Sequence, residues 1–260
     1  MIHPTAIIDP GAELGEDVSV GPYAVIGPKV TIGDGCAIGA HAVIESHVRM
    51  GKKNRIASFA SVGAPPQDLK FRGEDTWVEM GDNNLIREFV TINRGTPHGG
   101  GVTRLGNNNM VMAYCHIAHD CHVGNRVIMA NAVTFAGHIT VEDGANIGGL
   151  VAVHQFVRIG TLCIISGTSG AGKDVPPYVM AAPQRKGKGN DLFGLNLIGL
   201  RRNGISEETI AVLKKAYFMI FRSKDPLKGS LARVEAELPQ IPEVKHLLEF
   251  IRETKRGVLR

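Results

Sequence analysis

The amino-acid sequence predicts a mainly β fold, a parallel β-coil of six-residue repeats followed by a small C-terminal α-helical domain. Three observations predict it: a six-residue hydrophobic period, many glycines with few aromatic residues, and a change to helical spacing near the C-terminus. The chain has 260 residues, with 32 Gly but only 5% aromatic residues. A core with so few rings must be filled by small and branched side chains, which suits a narrow repetitive β architecture.

The hydrophobic residues recur every six positions along most of the first 170 residues. The aliphatic positions are Ile2, Ile8, Leu14, Val20, Ile26, Ile32, Ile38, Ile44, Met50, Ile56 and Val62, then Met80, Ile86 and Ile92, and after a phase change every sixth residue from Leu105 to Ile165. Such a period fits neither a helix nor a single strand. It fits a triangular coil with one short strand per hexapeptide and turns stacked about 4.8 Å apart as parallel strands.

From Ile2 to Ile56, a small or branched residue follows four positions after each aliphatic one, with Asn54 as the exception. All four cysteines, Cys36, Cys115, Cys121 and Cys163, hold this small position. We therefore expect them to be buried thiols, and neither ligands, nucleophiles nor disulfides.

Two stretches interrupt the period, 63–79 and 97–104, and we expect both to be loops projecting from the coil. The coil is thus predicted over 1–182 and the helical domain over 183–260. In the latter, Ser206 precedes two glutamates and a helical hydrophobic pattern, while Asp225-Pro226 and Pro242 begin two further helices.

The formal net charge is +4, with basic residues concentrated in two regions: Arg185, Lys186, Lys188, Arg201 and Arg202, and then Lys255, Arg256 and Arg260. These clusters suit an acidic ligand or partner, with a solvated basic face as the alternative interpretation. We expect no nucleic-acid partner. No apolar run reaches membrane-spanning length and no signal peptide is evident, so we expect a cytoplasmic protein without an integral membrane segment.

The densest group of polar side chains runs from Cys115 to His122. Its spacing is typical of a metal site, but the repeat directs both cysteines inward and places His116 and His122 on different faces. We therefore predict no metal. Because one turn takes eighteen residues, positions 137 and 155 stack above His119.

Three imidazoles, those of His119, His138 and His154, are therefore expected at one edge together with Gln155. An imidazole is suited to removing a proton from a hydroxyl near neutral pH. Asp120 could fix its tautomer, and the backbone N–H of Gly137 could receive a developing oxyanion. These groups predict direct acyl transfer without a covalent intermediate.

One segment, Gly167 to Lys173, matches the spacing of a phosphate-binding loop. Asp174 stands where that loop requires Ser or Thr, and Pro176-Pro177 exclude the helix that must follow. Nucleotide hydrolysis is therefore excluded.

Beyond the repeat, several motifs resemble the UDP-N-acetylglucosamine O-acyltransferase family of hexapeptide-repeat acyltransferases. They are Gln67-Asp68-Leu69-Lys70, Ile117-Ala118-His119-Asp120-Cys121, Ala136-Gly137-His138, Val153-His154-Gln155-Phe156, Asp174-Val175-Pro176-Pro177-Tyr178 and Lys255-Arg256-Gly257. The resemblance implies a left-handed parallel β-helix, a homotrimer and no cofactor. It also implies transfer of a 3-hydroxyacyl chain from acyl carrier protein to the 3-hydroxyl of UDP-N-acetylglucosamine, the first step of lipid A biosynthesis.

The resemblance implies three catalytic positions: His119 as base, Asp120 as its orienting partner and Gly137 as oxyanion donor. The substrate-binding residues it implies are Asp68, Lys70, His116 and His138 for the sugar and pyrophosphate, and Gln67, His154, Gln155, Asn196 and Arg202 for the nucleotide or the acyl-phosphopantetheine arm. Gly167 would close the far end of the acyl groove, where the absence of a side chain predicts long hydroxyacyl donors.

Three features depart from the family pattern: Ile198 in place of a carboxylate, Asn203 in place of a basic residue, and a basic insertion at 183–192. They leave open an N-acyltransferase acting on an amino sugar nucleotide. Two further alternatives are a metalloenzyme of the same fold and a non-catalytic scaffold.

Overall fold

Short strands wind most of the chain into a three-sided prism in the computed structural model, which describes residues 1–183 and 190–260. In chain order the strands are β1 Ile7–Ile8, β2 Glu13–Leu14, β3 Ser19–Val20, β4 Val25–Ile26, β5 Val30–Ile32, β6 Ala37–Ile38, β7 Val43–Ile44, β8 Val48–Met50, β9 Arg55–Ile56, β10 Ser61–Ala64, β11 Trp77–Met80, β12 Leu85–Ile86, β13 Thr91–Asn93, β14 Val102–Leu105, β15 Met110–Val111, β16 His116–Ile117, β17 His122–Val123, β18 Ile128–Met129, β19 Thr134–Phe135, β20 Thr140–Val141, β21 Asn146–Ile147, β22 Ala152–Val153, β23 Arg158–Ile159, β24 Ile164–Ile165, β25 Gly170–Ala171, β26 Val179–Pro183 and β27 Asn190–Leu195.

Every third strand belongs to the same face of the prism. Within the described residues the first face runs from β1 through β4 to β25, the second from β2 through β5 to β23, and the third from β3 through β6 to β24, β26 and β27. Apart from the pair of β26 and β27, neighbouring strands of a face are parallel and one turn apart, as where Ile117 pairs with Phe135. The predicted parallel coil is therefore confirmed.

The inward positions form one continuous core of aliphatic and small residues. The four cysteines are buried thiols, as predicted. The exception at Asn54 is the start of a buried ladder, in which the Asn54 Oδ1 accepts hydrogen bonds from Asn84 and the Asn84 Oδ1 accepts them from Asn109. Each amide also donates to a backbone carbonyl, so these polar side chains are satisfied inside the prism.

Both interruptions of the repeat project from the edge where the chain passes from the first face to the second. The first loop spans 65–76 and not 63–79, because the ladders of β10 and β11 extend into the expected range. The second spans 94–101 and contains a 3₁₀ turn at Pro97–Gly99. The expected range of 97–104 is wrong at its C-terminal end, since Val102–Leu105 pairs with Trp77–Met80.

The β structure continues past the expected boundary at residue 182. Strand β27 pairs antiparallel with β26 and extends the third face to Leu195, because the free edge of β26 accepts another strand. Of the predicted basic insertion at 183–192, residues 184–189 lie outside the described residues, as do Arg185, Lys186 and Lys188.

Helices complete the C-terminal region, with bounds α1 Leu197–Arg202, α2 Glu207–Phe221, α3 Leu227–Glu237 and α4 Pro242–Arg252. The three predicted helix starts are confirmed, and the Ser206 hydroxyl caps α2 by accepting from the Thr209 N–H. The short helix α1 was not predicted from the sequence. No helix in the described ranges is long and apolar enough to cross a membrane.

Candidate active site

The edge that joins the first face to the second carries the predicted histidines. His119 and Asp120 form the turn between β16 and β17. The next turn stacks directly above, with the His138 N–H donating to the His119 carbonyl, and the Phe156 N–H donates in the same way to Gly137. The sequence prediction that His119, His138, His154 and Gln155 share an edge is confirmed, and we call it the His119 edge.

His119 and Asp120 form a buried hydrogen-bonded pair. The His119 Nδ1 lies 2.8 Å from the Asp120 Oδ2, and the side chains are 9% and 0% exposed. The Thr96 N–H and hydroxyl donate to the two Asp120 oxygens at 2.8 and 2.6 Å, while the Asp120 N–H donates to the Thr103 hydroxyl. The carboxylate is thus fixed in place and faces the imidazole.

Hydrogen bonding keeps this buried carboxylate ionised. Burial alone would raise the pKa of Asp120, but the hydrogen bonds from His119 and Thr96 outweigh it and lower the pKa below its ordinary value. Because Asp120 occupies Nδ1, the Nε2 of His119 is the ring nitrogen left to accept a proton.

Donor atoms of His119, Asp120 and His138 lie within 4.8 Å of one another, a spacing that a metal ion can bridge. The Asp120 Oδ2 already accepts hydrogen bonds from His119 and Thr96. A metal would have to displace these protons, so the hydrogen bonding favours a base with its carboxylate over a metal centre.

Gly137 packs directly against the His119 ring. A Cβ at this position would lie 2.4 Å from the His119 Cε1 and 2.8 Å from its Nε2. Glycine is therefore required by the close approach of backbone to imidazole. The Gly137 N–H donates to no acceptor within 1–183 and 190–260, so it is free for a developing oxyanion.

His138 forms the upper side of the site. Its ring lies edge-on to His119 at 5.0 Å between centroids and stacks on Phe156 at 4.6 Å. Burial lowers the pKa of His138, as do the neighbouring charges of His119 and His98, against the opposing effect of Asp120. A neutral imidazole here can donate or accept a hydrogen bond.

The two loops form the lower side of the site. Asp68, from the 65–76 loop, lies 3.2 Å from the Nε2 of His98 in the 94–101 loop. The rings of His98 and His138 are 6.1 Å apart between centroids. Gln67 and Lys70, on the same loop as Asp68, are exposed.

Other predicted site residues are not brought to this edge within one protomer. His116 lies on the first face, where its Nδ1 is 2.7 Å from the Thr91 hydroxyl and burial lowers its pKa. Asn196 and Arg202 line a groove of about 530 Å³ on the third face, together with Ile198 and Asn203. Gly167 lies between β24 and β25, at the edge from the third face to the first.

A second cavity, of about 750 Å³, adjoins the His119 edge. Its lining residues are His138, Thr140, Phe156, Arg158, Asp174, Glu253, Lys255 and Arg256. The C-terminal segment is fixed beside it because the buried Asp174 carboxylate accepts from the Thr254 hydroxyl at 2.6 Å. Two of the predicted basic tail residues therefore reach the neighbourhood of His138.

Sequence reasoning missed Thr96, His98 and Thr103. The count of eighteen residues per turn fails across the two insertions: Val62 pairs with Ile92, thirty positions later, and Ile92 pairs with Ile117, twenty-five positions later. The two interruptions of the repeat were the sequence signal that could have pointed to these residues. Only the structure shows that both loops leave the prism at the same edge as His119.

The chain matches known families over both of its parts. Residues 11–46 and 103–137 match the bacterial transferase hexapeptide family, and residues 174–259 match the family described as UDP-N-acetylglucosamine O-acyltransferase, domain 2. The acyl-[acyl-carrier-protein]–UDP-N-acetylglucosamine O-acyltransferase of Thermodesulfovibrio yellowstonii is 53% identical over 259 residues, covering 100% of this chain and 99% of that protein. The corresponding enzyme of Myxococcus xanthus is 51% identical with the same coverage.

Solved structures agree with these sequence matches. LpxA from Acinetobacter baumannii superimposes with a TM-score of 0.95 at 43% identity, covering 100% of this chain and 99% of that one. A UDP-N-acetylglucosamine acyltransferase from Bacteroides fragilis gives 0.96 at 44% identity with full coverage of both chains. The left-handed parallel β-helix that the resemblance implied is therefore confirmed.

Proposed function

The chain belongs to the UDP-N-acetylglucosamine O-acyltransferase family, and on that premise we propose how its residues divide the work. The enzyme transfers an acyl chain from acyl carrier protein to UDP-N-acetylglucosamine, which is the first step of lipid A biosynthesis. We assign the acceptor as the sugar 3-hydroxyl and the donor as a 3-hydroxyacyl thioester. The observation that carries the mechanism is the His119–Asp120 pair beneath a free Gly137 N–H.

His119 is the general base. Its Nε2 takes the proton of the acceptor hydroxyl as the hydroxyl oxygen attacks the thioester carbonyl carbon. The carbonyl oxygen becomes an oxyanion that the Gly137 N–H stabilises, and the ionised Asp120 stabilises the imidazolium. When the intermediate collapses, the C–S bond breaks and the imidazolium returns its proton to the leaving thiolate.

The acceptor binds along the same edge. The acidic Asp68 accepts hydrogen bonds from sugar hydroxyls, and Lys70 and His138 interact with the pyrophosphate. Support comes from the contacts that join these side chains: Asp68 lies 3.2 Å from His98, the His98 ring is 6.1 Å from that of His138, and His138 lies edge-on to His119. We also assign His116, on the first face next to this edge, to the contacts with the sugar and pyrophosphate.

A homotrimer completes the site. Asn196, Arg202 and Gly167 lie on other faces and edges of the same prism, and a rigid prism cannot fold them onto His119. A neighbouring prism that packs its third face against the His119 edge unites the two sets, with Gln67, His154 and Gln155 facing the bound nucleotide or the phosphopantetheine arm.

Acyl carrier protein docks at the basic C-terminal segment, where Lys255 and Arg256 line the cavity next to His138. Opposite charges favour this encounter, since acyl carrier proteins are acidic. We place the reaction in the cytoplasm, where acyl carrier protein and sugar nucleotides are made.

The reaction is tested by mass analysis of products from acyl carrier protein donors offered with UDP-N-acetylglucosamine or its 3-amino analogue. An ester product with the hydroxyl acceptor supports the proposal; an amide product from the amino analogue alone refutes it in favour of N-acyl transfer.

His119→Ala should lower kcat by roughly 10²–10⁴-fold with unchanged thermal unfolding, and near-normal turnover would remove His119 from the role of base.

The shared site is tested by mixing subunits. His119→Ala and Arg202→Ala proteins, each impaired alone, should regain activity when refolded together, because some interfaces then combine an intact His119 with an intact Arg202. If verified mixed oligomers did not regain activity, His119 and Arg202 would not belong to one site shared between neighbouring subunits.

A further inference from the structure

We propose that His98 is a positioning residue for the acceptor, which holds the Asp68 carboxylate in the orientation that receives the sugar of UDP-N-acetylglucosamine. The inference rests on the proposed function, because that function makes Asp68 a sugar ligand. His98 lies outside every motif that identified the family. Its placement at the site comes from the structure alone.

The Asp68 carboxylate is held at both oxygens. The Lys70 N–H donates to Oδ1 at 2.8 Å, and the His98 Nε2 lies 3.2 Å from Oδ2. The two donors together fix rotation about the Cβ–Cγ bond of Asp68. Without the imidazole, Oδ1 would keep the Lys70 N–H as its donor but Oδ2 would have lost its neighbour. The carboxylate could then rotate away from the orientation that binds the sugar.

The 94–101 loop connects Asp68 to the base. Thr96, two residues before His98, donates to both oxygens of Asp120. Gly99, one residue after it, packs so closely that a Cβ would lie 2.0 Å from the Asp120 Cγ. The loop that carries His98 is therefore fixed to the catalytic carboxylate of Asp120. Through His98, the same loop fixes the position of the Asp68 carboxylate relative to Asp120.

The electrostatics agree with this geometry. The backbone N–H of Lys70 lowers the pKa of Asp68 most; burial opposes it, and the charges of His98 and His119 lower the pKa further. Asp68 is therefore ionised and acts only as an acceptor, as binding to sugar hydroxyls requires. The Asp68 side chain is only 17% exposed, so its carboxylate is largely shielded from solvent.

The effect of His98 on acceptor binding is measurable without turnover. Calorimetric titration with UDP-N-acetylglucosamine should show a dissociation constant about tenfold weaker for His98→Ala, the loss expected for one charge-assisted hydrogen bond. His98→Gln should recover most of the affinity, because its amide N–H replaces the lost donor. His41→Ala, which removes an exposed imidazole at a different edge, is the matched control and should bind as wild type.

Steady-state kinetics separate positioning from chemistry. The KM for the acceptor should rise by about the same factor in His98→Ala, while kcat changes by less than about twofold. In an Asp68→Ala background the same substitution should add less than about twofold, because the group through which His98 acts is gone.

Several results would overturn the proposal: unchanged affinity in His98→Ala, no recovery in His98→Gln, or a loss confined to kcat. The titrations also separate this proposal from the function on which it rests. If the wild-type protein binds UDP-N-acetylglucosamine but forms no acylated product, the assigned reaction fails, while the affinities of the variants still decide the role of His98.

Discussion

Adding a single methyl group at Gly137 should disable the base without unfolding the protein. In Gly137→Ala the new Cβ would lie 2.4, 2.8 and 2.9 Å from three atoms of the His119 ring. Ordinary contacts begin near 3.4 Å, so the imidazole must move by about 1 Å, and a displacement of that size costs on the order of 10²-fold in rate. The ring cannot move toward Asp120, which already holds Nδ1 at 2.8 Å.

The assay is kcat at saturating acceptor and donor, combined with thermal unfolding. We expect kcat to fall roughly 10²-fold, with a small change in Tm. Gly172→Ala is the matched control, since a Cβ there meets no atom within 4 Å among the described residues. A Gly137→Ala enzyme with wild-type kcat would refute the argument that this glycine exists to admit the imidazole.

Three further predictions concern stability, donor docking and chain length. His246→Gln should flatten the pH dependence of Tm: the hydrogen bond to Glu142 raises the pKa of His246, so its stabilisation is complete below about pH 6.5 and lost as the pH rises through the folded pKa. Wild-type Tm should therefore fall as the pH rises above about 6.5, and an equal fall in the variant would contradict this. Arg256→Glu should raise the KM for acylated carrier protein, most strongly at low ionic strength, and a KM insensitive to salt in both proteins would count against docking at the tail. Gly167→Met should shift the preferred acyl donor to chains shorter by several carbons, since each methylene excluded from the groove costs about 0.8 kcal/mol. Gly167→Ala is the control, because its Cβ makes the same 2.9 Å contact with the Gly149 carbonyl without the longer side chain. Identical chain-length profiles in the Met variant and the wild type would show that Gly167 does not set the chain length.

The repetitive part of the fold could be predicted because each turn repeats one physical requirement. An aliphatic residue and a small residue must point inward from every hexapeptide, so Ile117 and Cys121 could be placed in the core from their positions alone. Asn54 broke the pattern for a reason that the sequence could not supply: it accepts hydrogen bonds from Asn84, 30 residues away, and Asn84 accepts them from Asn109, a further 25 residues along the chain.

The C-terminal region was less predictable for a related reason. Proline and a capping serine mark the starts of α2 to α4, whereas α1 has only six residues and its one start signal is the capping Asn196. Asn196 caps α1 by accepting from the Gly199 N–H, and its side chain also donates to the Leu162 carbonyl. The second contact attaches the start of the helix to the prism, and it could not be predicted from the local sequence.

Within the site, the stacked residues were predictable and the inserted ones were not. His119, Gly137 and His138 follow from counting eighteen residues per turn. The loop that places His98 beside Asp68 has no such register, because it is itself an insertion between β13 and β14. Loop geometry depends on the contacts of Thr96 with Asp120, which only the folded structure shows.

This contrast implies a division of labour between the coil and its loops. Parallel ladders fix the backbone of His119 and Gly137 within a continuous rigid core, so the base and the oxyanion donor need no substrate to organise them. Asp68 and His98 stand on two loops held to each other and to Asp120 by a few polar contacts. Changes in the coil should therefore act mainly on kcat, and changes in the loops mainly on the affinity for the acceptor. The opposite kinetic signatures expected for Gly137→Ala and His98→Ala follow from this one difference in how the backbone is held.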